Sequence, residues 1–160
     1  MAVDIFIKVD GVKGESEDSK FKGEIDILAW SWGVSQSGTM HGGGGGGAGK
    51  ANFQDISLTK WVDLSSNTLW HHCATGKHIP HATLIVRKAG EKPLEYLTYK
   101  MTDVLISSYS TGGSGGEDRL TENVSLNFAK IETVYKAQDS KGVDAGSNGK
   151  GFDIKKNVKV

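Results

Sequence analysis

Three stretches of this sequence hold residue types that could do chemistry. Gly44-Gly45-Gly46-Gly47-Ala48-Gly49-Lys50 has the glycine-to-lysine spacing of a phosphate-binding loop. The match then fails. Ala51 stands where a hydroxyl should hold magnesium, and a β-patterned segment follows where the motif needs a helix N-terminus facing the phosphate. His71, His72, Cys73, His78 and His81 lie close together and are all soft or imidazole ligands. Zinc needs four groups converging tetrahedrally, whereas adjacent His71 and His72 on a helix point about 100° apart. The ordinary account of such a cluster is histidines at a helix C-terminus, facing its carbonyls and negative dipole end. Gly113-Ser114-Gly115, flanked by Gly112 and Gly116, shares the glycine spacing of a nucleophile elbow but lacks the strand-to-helix context that strains the nucleophile, so it reads as a small-residue turn. Carboxylate pairs such as Glu24 and Asp26, or Glu117 and Asp118, read as solvated or ion-paired positions. No catalytic residue, metal ligand or cofactor site is assigned.

The elements around these residues are mostly strands. Residues 3–9 alternate and close on the Asp10-Gly11 turn signal. Residues 24–35 form a longer strand, with Ile25, Ile27 and Ala29 sharing one face. Residues 52–62 form the next, with Ile56 and Leu58 on one side. Between them lies the glycine segment 38–50, so the pair is expected to be a hairpin with an overlong tip. The one helix is placed at 64–75, capped by Asp63 or Ser65 and stopped at Gly76 by a left-handed residue. Leu64, Leu69, Trp70 and Cys73 would give it an apolar side to pack on a sheet.

Strands follow at 82–88, 94–101 and 104–110, then a second glycine-rich connection at 111–118. The stretch 123–136 is a long strand in which Val124, Leu126 and Phe128 alternate with Ser125, Asn127 and Ala129. Residues 139–150 read as a polar, flexible connection, and 151–158 as a last short strand. Many strands and one helix imply a mainly β fold, a small β-barrel of two packed sheets with one flanking α-helix and a long glycine-rich hairpin loop. The whole of 1–160 reads as one domain.

Composition narrows the partners. The 160 residues include 19 basic and 19 acidic side chains, a formal net charge of zero. A nucleic-acid binder needs a basic excess to displace counterions, and a polybasic membrane-surface protein needs one too. No stretch approaches the roughly 20 apolar residues of a membrane helix, and the N-terminal residues lack a basic leader and an apolar core. The expected location is therefore the cytoplasm, with any export by a route that uses no cleaved signal. A single cysteine, Cys73, leaves no intrachain disulfide. Twenty-two glycines against two prolines point to loops rather than to a collagen-like repeat. A strand-rich domain must cover or pair its edges, which suits self-assembly. A monomeric barrel that binds a ligand such as a sugar on exposed tryptophans is the alternative.

Particular residues carry a likeness to a known family. They are Ala2-Val3-Asp4 with Phe6-Ile7-Lys8; Leu28-Ala29-Trp30-Ser31-Trp32-Gly33 with Ser35-Gln36-Ser37-Gly38; the polyglycine run ending at Lys50; and the block from Ser110 through Gly112-Gly113-Ser114-Gly115-Gly116-Glu117-Asp118-Arg119-Leu120-Thr121-Glu122-Asn123 to Val124. Together they closely resemble the Hcp (haemolysin-coregulated) proteins, the tube subunits of the bacterial type VI secretion system. The resemblance implies a homo-oligomer. Six chains form a ring with a wide channel, rings stack into a tube, and the tube is expelled by a contractile sheath together with spike components. It also implies small effector proteins carried in the lumen, export without a signal peptide, and no enzymatic activity.

By position, Gly113, Ser114 and Gly115 match the lumen-facing segment, with Ser114 contacting cargo. The tip that includes Gly42, Gly43, Gly44, Gly45, Gly46, Gly47 and Lys50 matches the loop that reaches the adjacent ring. Glu117, Asp118 and Arg119 are assigned to contacts between subunits from their charge and placement alone.

Overall fold

The computed structural model describes residues 3–160 apart from 39, 43–46, 48, 91, 92, 140, 142 and 143. In chain order the elements are β1 (Val3–Val9), β2 (Ile25–Asp26), β3 (Ala29–Ser31), β4 (Val34–Ser35), β5 (Asn52–Phe53) and β6 (Ile56–Trp61). Then come α1 (Ser66–Thr75), β7 (Ile79–Lys88), β8 (Glu95–Thr111), β9 (Thr121–Gln138), β10 (Asp144–Asp153) and β11 (Val158–Lys159). The fold is mainly β with one helix, as the sequence pattern requires. Two sheets are present, but they are unequal: a nine-stranded sheet that curls on itself and a two-stranded ribbon, β4–β5.

The long strands order as β10-β9-β8-β7-β1, and β6 lies against the first half of β9. The strand-pairing ladder does not run unbroken round the barrel. Instead the segment 25–31 crosses the gap: β2 pairs with β1 and β3 with β6. Between them, Ile27 N–H donates to Ile5 C=O at 2.9 Å and Leu28 N–H to Thr59 C=O at 2.8 Å. This change of partner explains why the expected single strand 24–35 is broken. It also explains why Ala29 is exposed although Ile25 and Ile27 are buried. The predicted hairpin survives the break, since β3 pairs β6 and β4 pairs β5.

Cross-strand aliphatic pairs fill the interior, among them Ile7 with Leu84, Leu58 with Val124, Ile106 with Leu126 and Met101 with Ile131. All eight are at most 4% exposed. Each such side chain stabilises the fold by roughly 1.5–3 kcal/mol relative to exposure.

The helix begins at Ser66 rather than Leu64 and ends on Gly76 in the left-handed conformation, φ 64°. Gly76 N–H donates to Cys73 C=O at 3.3 Å. At the other end, Asp63 accepts from Ser65 N–H at 2.8 Å. α1 packs on β8 through Leu69, 2% exposed. Leu64 and Trp70, expected on the packed side, are 63% and 45% exposed. Cys73 is half-buried.

Two further expectations are corrected. Residues 95–111 form one strand, not two. Asp103 adopts φ 54° in its middle, where the strand bends without ending. Pro80 of β7 and Ala129 of β9 sit at the same level, the latter accepting from Ile154 N–H at 2.8 Å. The polar stretch 139–150 is largely the strand β10, paired with β9 from Asp144 to Asp153. Its glycines have a packing reason. A Cβ on Gly151 would sit 2.7 Å from Val160 Cγ2, so the bare backbone lets the C-terminal segment lie across the strand.

Candidate functional site

The Ser114 segment is the tip of the β8–β9 hairpin, and all of 112–120 is exposed. It is an ordered turn. Ser114 N–H donates to Glu117 Oε1 at 3.1 Å, Ser114 Oγ lies 3.4 Å from the same oxygen, and Glu117 N–H donates to Ser114 C=O at 3.2 Å. Glu117 therefore accepts from its own turn. At Gly113 a Cβ would lie 2.3 Å from Leu120 Cδ2, so a larger residue there would displace that side chain, and Gly115 and Gly116 face open space. Arg119 lies over the Trp61 ring at 4.5 Å, a cation–π contact. Asp118 is exposed. The structure thus gathers Ser114, Gly113, Gly115, Glu117, Asp118 and Arg119 on one hairpin tip.

The second group is carried by the β4–β5 ribbon. Val34 pairs with Phe53 and Ser35 with Asn52, and Gly49 N–H donates to Ser37 C=O at 3.2 Å. Gly42, Gly47 and Lys50 are exposed beyond that pairing, while Gly43, Gly44, Gly45 and Gly46 lie outside the described residues. An aromatic chain anchors the ribbon's base: Trp30 meets Tyr99 at 5.1 Å, Tyr99 meets Trp32 at 5.4 Å, and Phe53 stacks on Phe152 at 5.2 Å. Burial pushes the Tyr99 hydroxyl's pKa up. The segment after the glycine run is the strand β5, so the phosphate-loop context is absent as the sequence indicated.

Next to the Ser114 tip, the outward face of β3, β6, β9 and β8 forms a shallow cleft of about 240 Å³. Ser31, Ser57, Thr59, Ser108, Asn123 and Ser125 line it. Thr59 Oγ1 donates to Asn123 Oδ1 at 2.9 Å, and the hydroxyls of Ser108 and Ser125 are bonded to each other. Beside them, Asp55 accepts from Ser107 Oγ at 2.6 Å and from Asn127 Nδ2 at 2.8 Å. The cleft's six polar side chains carry no formal charge and offer short donors and acceptors. The alternation of Asn123, Ser125 and Asn127 against buried Val124, Leu126 and Phe128 was the signal for this face.

Two buried charge groups escape a reading of the sequence. Lys60 and Glu122 are both 0% exposed and paired to each other, with Asp63, Ser66 and Tyr109 around them. The signal was the strand period. Lys60 shares the inward face of Ile56 and Leu58, and Glu122 that of Val124, positions where a charge is buried and needs a partner. Burial, with the Glu122 carboxylate, pushes the Tyr109 hydroxyl up to about 12.

The second group is Arg87. It holds Asp18 with both terminal nitrogens, at 3.1 and 2.6 Å, and Asp4 at 3.0 Å. Its guanidinium lies 5.1 and 5.6 Å from the stacked rings of Phe6 and Phe21. The hydrogen bonds from Arg87 hold the Asp18 carboxyl down at about 2, and Asp18 in turn raises Arg87.

The histidines are spread out. His71 and His78 are exposed, and His81 Nδ1 lies 3.5 Å from Thr102 Oγ1. Burial lowers the pKa of His72, whose Nδ1 has no hydrogen-bond partner among the described residues. Among the described residues no three His, Cys, Asp or Glu side chains converge as metal ligands. No helix of the described residues is long and apolar enough to cross a membrane.

Fold and surface together define a curled antiparallel β-domain that presents a glycine-rich β8–β9 hairpin tip, a two-stranded ribbon and a polar sheet face. Comparison with known proteins places it further. Residues 6–135 match the family model for the type VI secretion system effector Hcp. The chain is 57% identical to protein hcp1 of Pseudomonas aeruginosa over 100% of both chains. A solved type six secretion system protein superposes with a TM-score of 0.94 at 33% identity, covering 99% of this chain and 100% of that one. Hcp1 from Salmonella typhimurium does so with a TM-score of 0.83 at 40% identity, over 100% of both. The chain belongs to the Hcp family.

Proposed function

We propose that this chain is a structural subunit of the type VI secretion tube: six copies close into a ring, rings stack, and small effector proteins travel in the lumen. The observation that carries the reading is the sheet's open edge. Among the described residues, Ser147 to Lys150 of β10 pair with β9 on one side and with no strand on the other, β11 pairing at Phe152 and Asp153. An open edge invites a second strand, and a closed rotation of such contacts makes a ring, while unlike faces meeting head to tail make an open stack. The number six comes with the family resemblance.

In this arrangement Ser114, with Gly113 and Gly115, faces the lumen beside the serine- and threonine-lined cleft. Short uncharged groups hold a passenger weakly enough to release it. Lys50 and the tip formed by Gly42 to Gly47 meet the neighbouring ring, and Glu117, Asp118 and Arg119 lie near the contacts between subunits. The whole of 1–160 acts as one unit with no catalytic role, made in the cytoplasm and expelled with sheath and spike components. Native mass spectrometry of the purified chain tests this. A species at six times 17.1 kDa is expected, and a monomer at high micromolar concentration would overturn it.

A further inference from the structure

The hairpin tip stands on two legs, and both legs end on one buried polar group. Tyr109 lies near the end of the β8 leg, Glu122 near the start of the β9 leg, and the Tyr109 hydroxyl donates to Glu122 Oε2. Glu122 Oε1 accepts from Lys60 Nζ on β6 and, at 2.8 Å, from Ser66 Oγ at the first turn of α1. Lys60 Nζ donates further to Trp61 C=O at 2.8 Å and to Asp63 Oδ1 at 3.0 Å. All three ammonium hydrogens thus have acceptors, and both oxygens of Glu122 have donors.

The tip is laid on the residues this group fixes. Trp61, whose carbonyl accepts from Lys60, carries Arg119 on its ring; Val62 N–H donates to Leu120 C=O at 2.8 Å. One chain of contacts therefore runs from the helix start through the buried ions to both sides of the tip. A buried ion pair is a costly way to add stability, since apolar side chains of equal volume often serve as well or better. Its distinctive property is direction, because a satisfied polar network accepts one geometry.

We propose that Lys60, Glu122, Tyr109 and Ser66 form a positioning device that sets the stance of the 112–120 tip relative to α1 and β6. None of the four touches the tip's passenger; they act through Trp61, Val62 and the hairpin legs. The inference rests on the tube reading only for what the tip contacts, not for how the tip is held.

The test uses the full chain and trypsin as a probe of local opening, with Arg119 as the cleavage site inside the tip. Tyr109→Phe removes one hydroxyl and no packing volume. Cleavage after Arg119 should accelerate about tenfold, the scale set by losing a hydrogen bond to a charged acceptor, while cleavage after the exposed Lys20 and Lys156 stays unchanged. Ser66→Ala should give the same selective gain. Unchanged cleavage after Arg119, or equal acceleration at all three sites, would overturn the proposal, the second outcome being plain loss of stability. Native mass recorded on concentrated samples separates the two readings, with cleavage read on chain diluted below ring assembly so that subunit contacts do not shield Arg119. A monomer with selective cleavage counts against the tube alone, and an intact ring with unchanged cleavage counts against the positioning device alone.

Discussion

Arg87 shows how much one side chain can organise. It draws Asp18, 69 positions earlier in the chain, onto the barrel, and with it the loop that carries Phe21. Because the folded Asp18 carboxyl titrates at about 2 against an ordinary 3.8, its contribution is fully present above the ordinary value and disappears as pH falls through about 2. Asp18→Asn is therefore expected to lower the urea midpoint at pH 7, with the gap to the parent chain closing between about pH 4 and pH 2. Midpoints measured as a pH series check this, and a gap that persists unchanged at pH 2 would contradict it. The sequence hides the pair, since residues 16–22 are a short charged stretch and nothing local links Asp18 to Arg87. Lys60 and Glu122 leave more of a signal, though an unread one, because Lys60 continues the period of Ile56 and Leu58 and Glu122 that of Val124.

Elements were legible where local chemistry decides them. The Gly76 stop, the alternation of β1 and β9 and the pairing across the glycine hairpin all follow from short windows of sequence. Elements decided by distant partners were not. β10 has the composition of a loop and becomes a strand because β9 offers it a long ladder, Gly151 leaving room for the C-terminal segment beside it. β8 looked like two strands because Asp103 interrupts its period, yet the chain bends at φ 54° and resumes pairing at Val104. The left-handed region costs an ordinary residue roughly 1–2 kcal/mol and glycine almost nothing. Asp103→Gly should therefore leave the fold near or slightly above its parent stability. Asp103→Val should cost about 1–2 kcal/mol, read from chemical denaturation midpoints, and equal stability of the two variants would show that the bend carries no strain.

Across the whole molecule, zero net charge and glycine-rich tips suit a body that meets copies of itself, because stacked copies then lack strong mutual repulsion. If the 42–47 run bridges rings, shortening it should leave the ring mass unchanged and reduce stacking, as seen by negative-stain imaging and sedimentation of concentrated rings. Stacking that survives the shortening would remove that role from the tip. The pairing of β1 with β7 also has a consequence in time. Val3 meets Lys88 and Val9 meets Ala82, so the first strand made has its main partner far downstream. Ribosomes add about 5–20 residues per second, so β1 waits on the order of several seconds before β7 emerges. During that interval Phe6 and Ile7 are apolar and without the β7 partners that later cover them. The nascent chain therefore shows apolar surface that the folded domain covers.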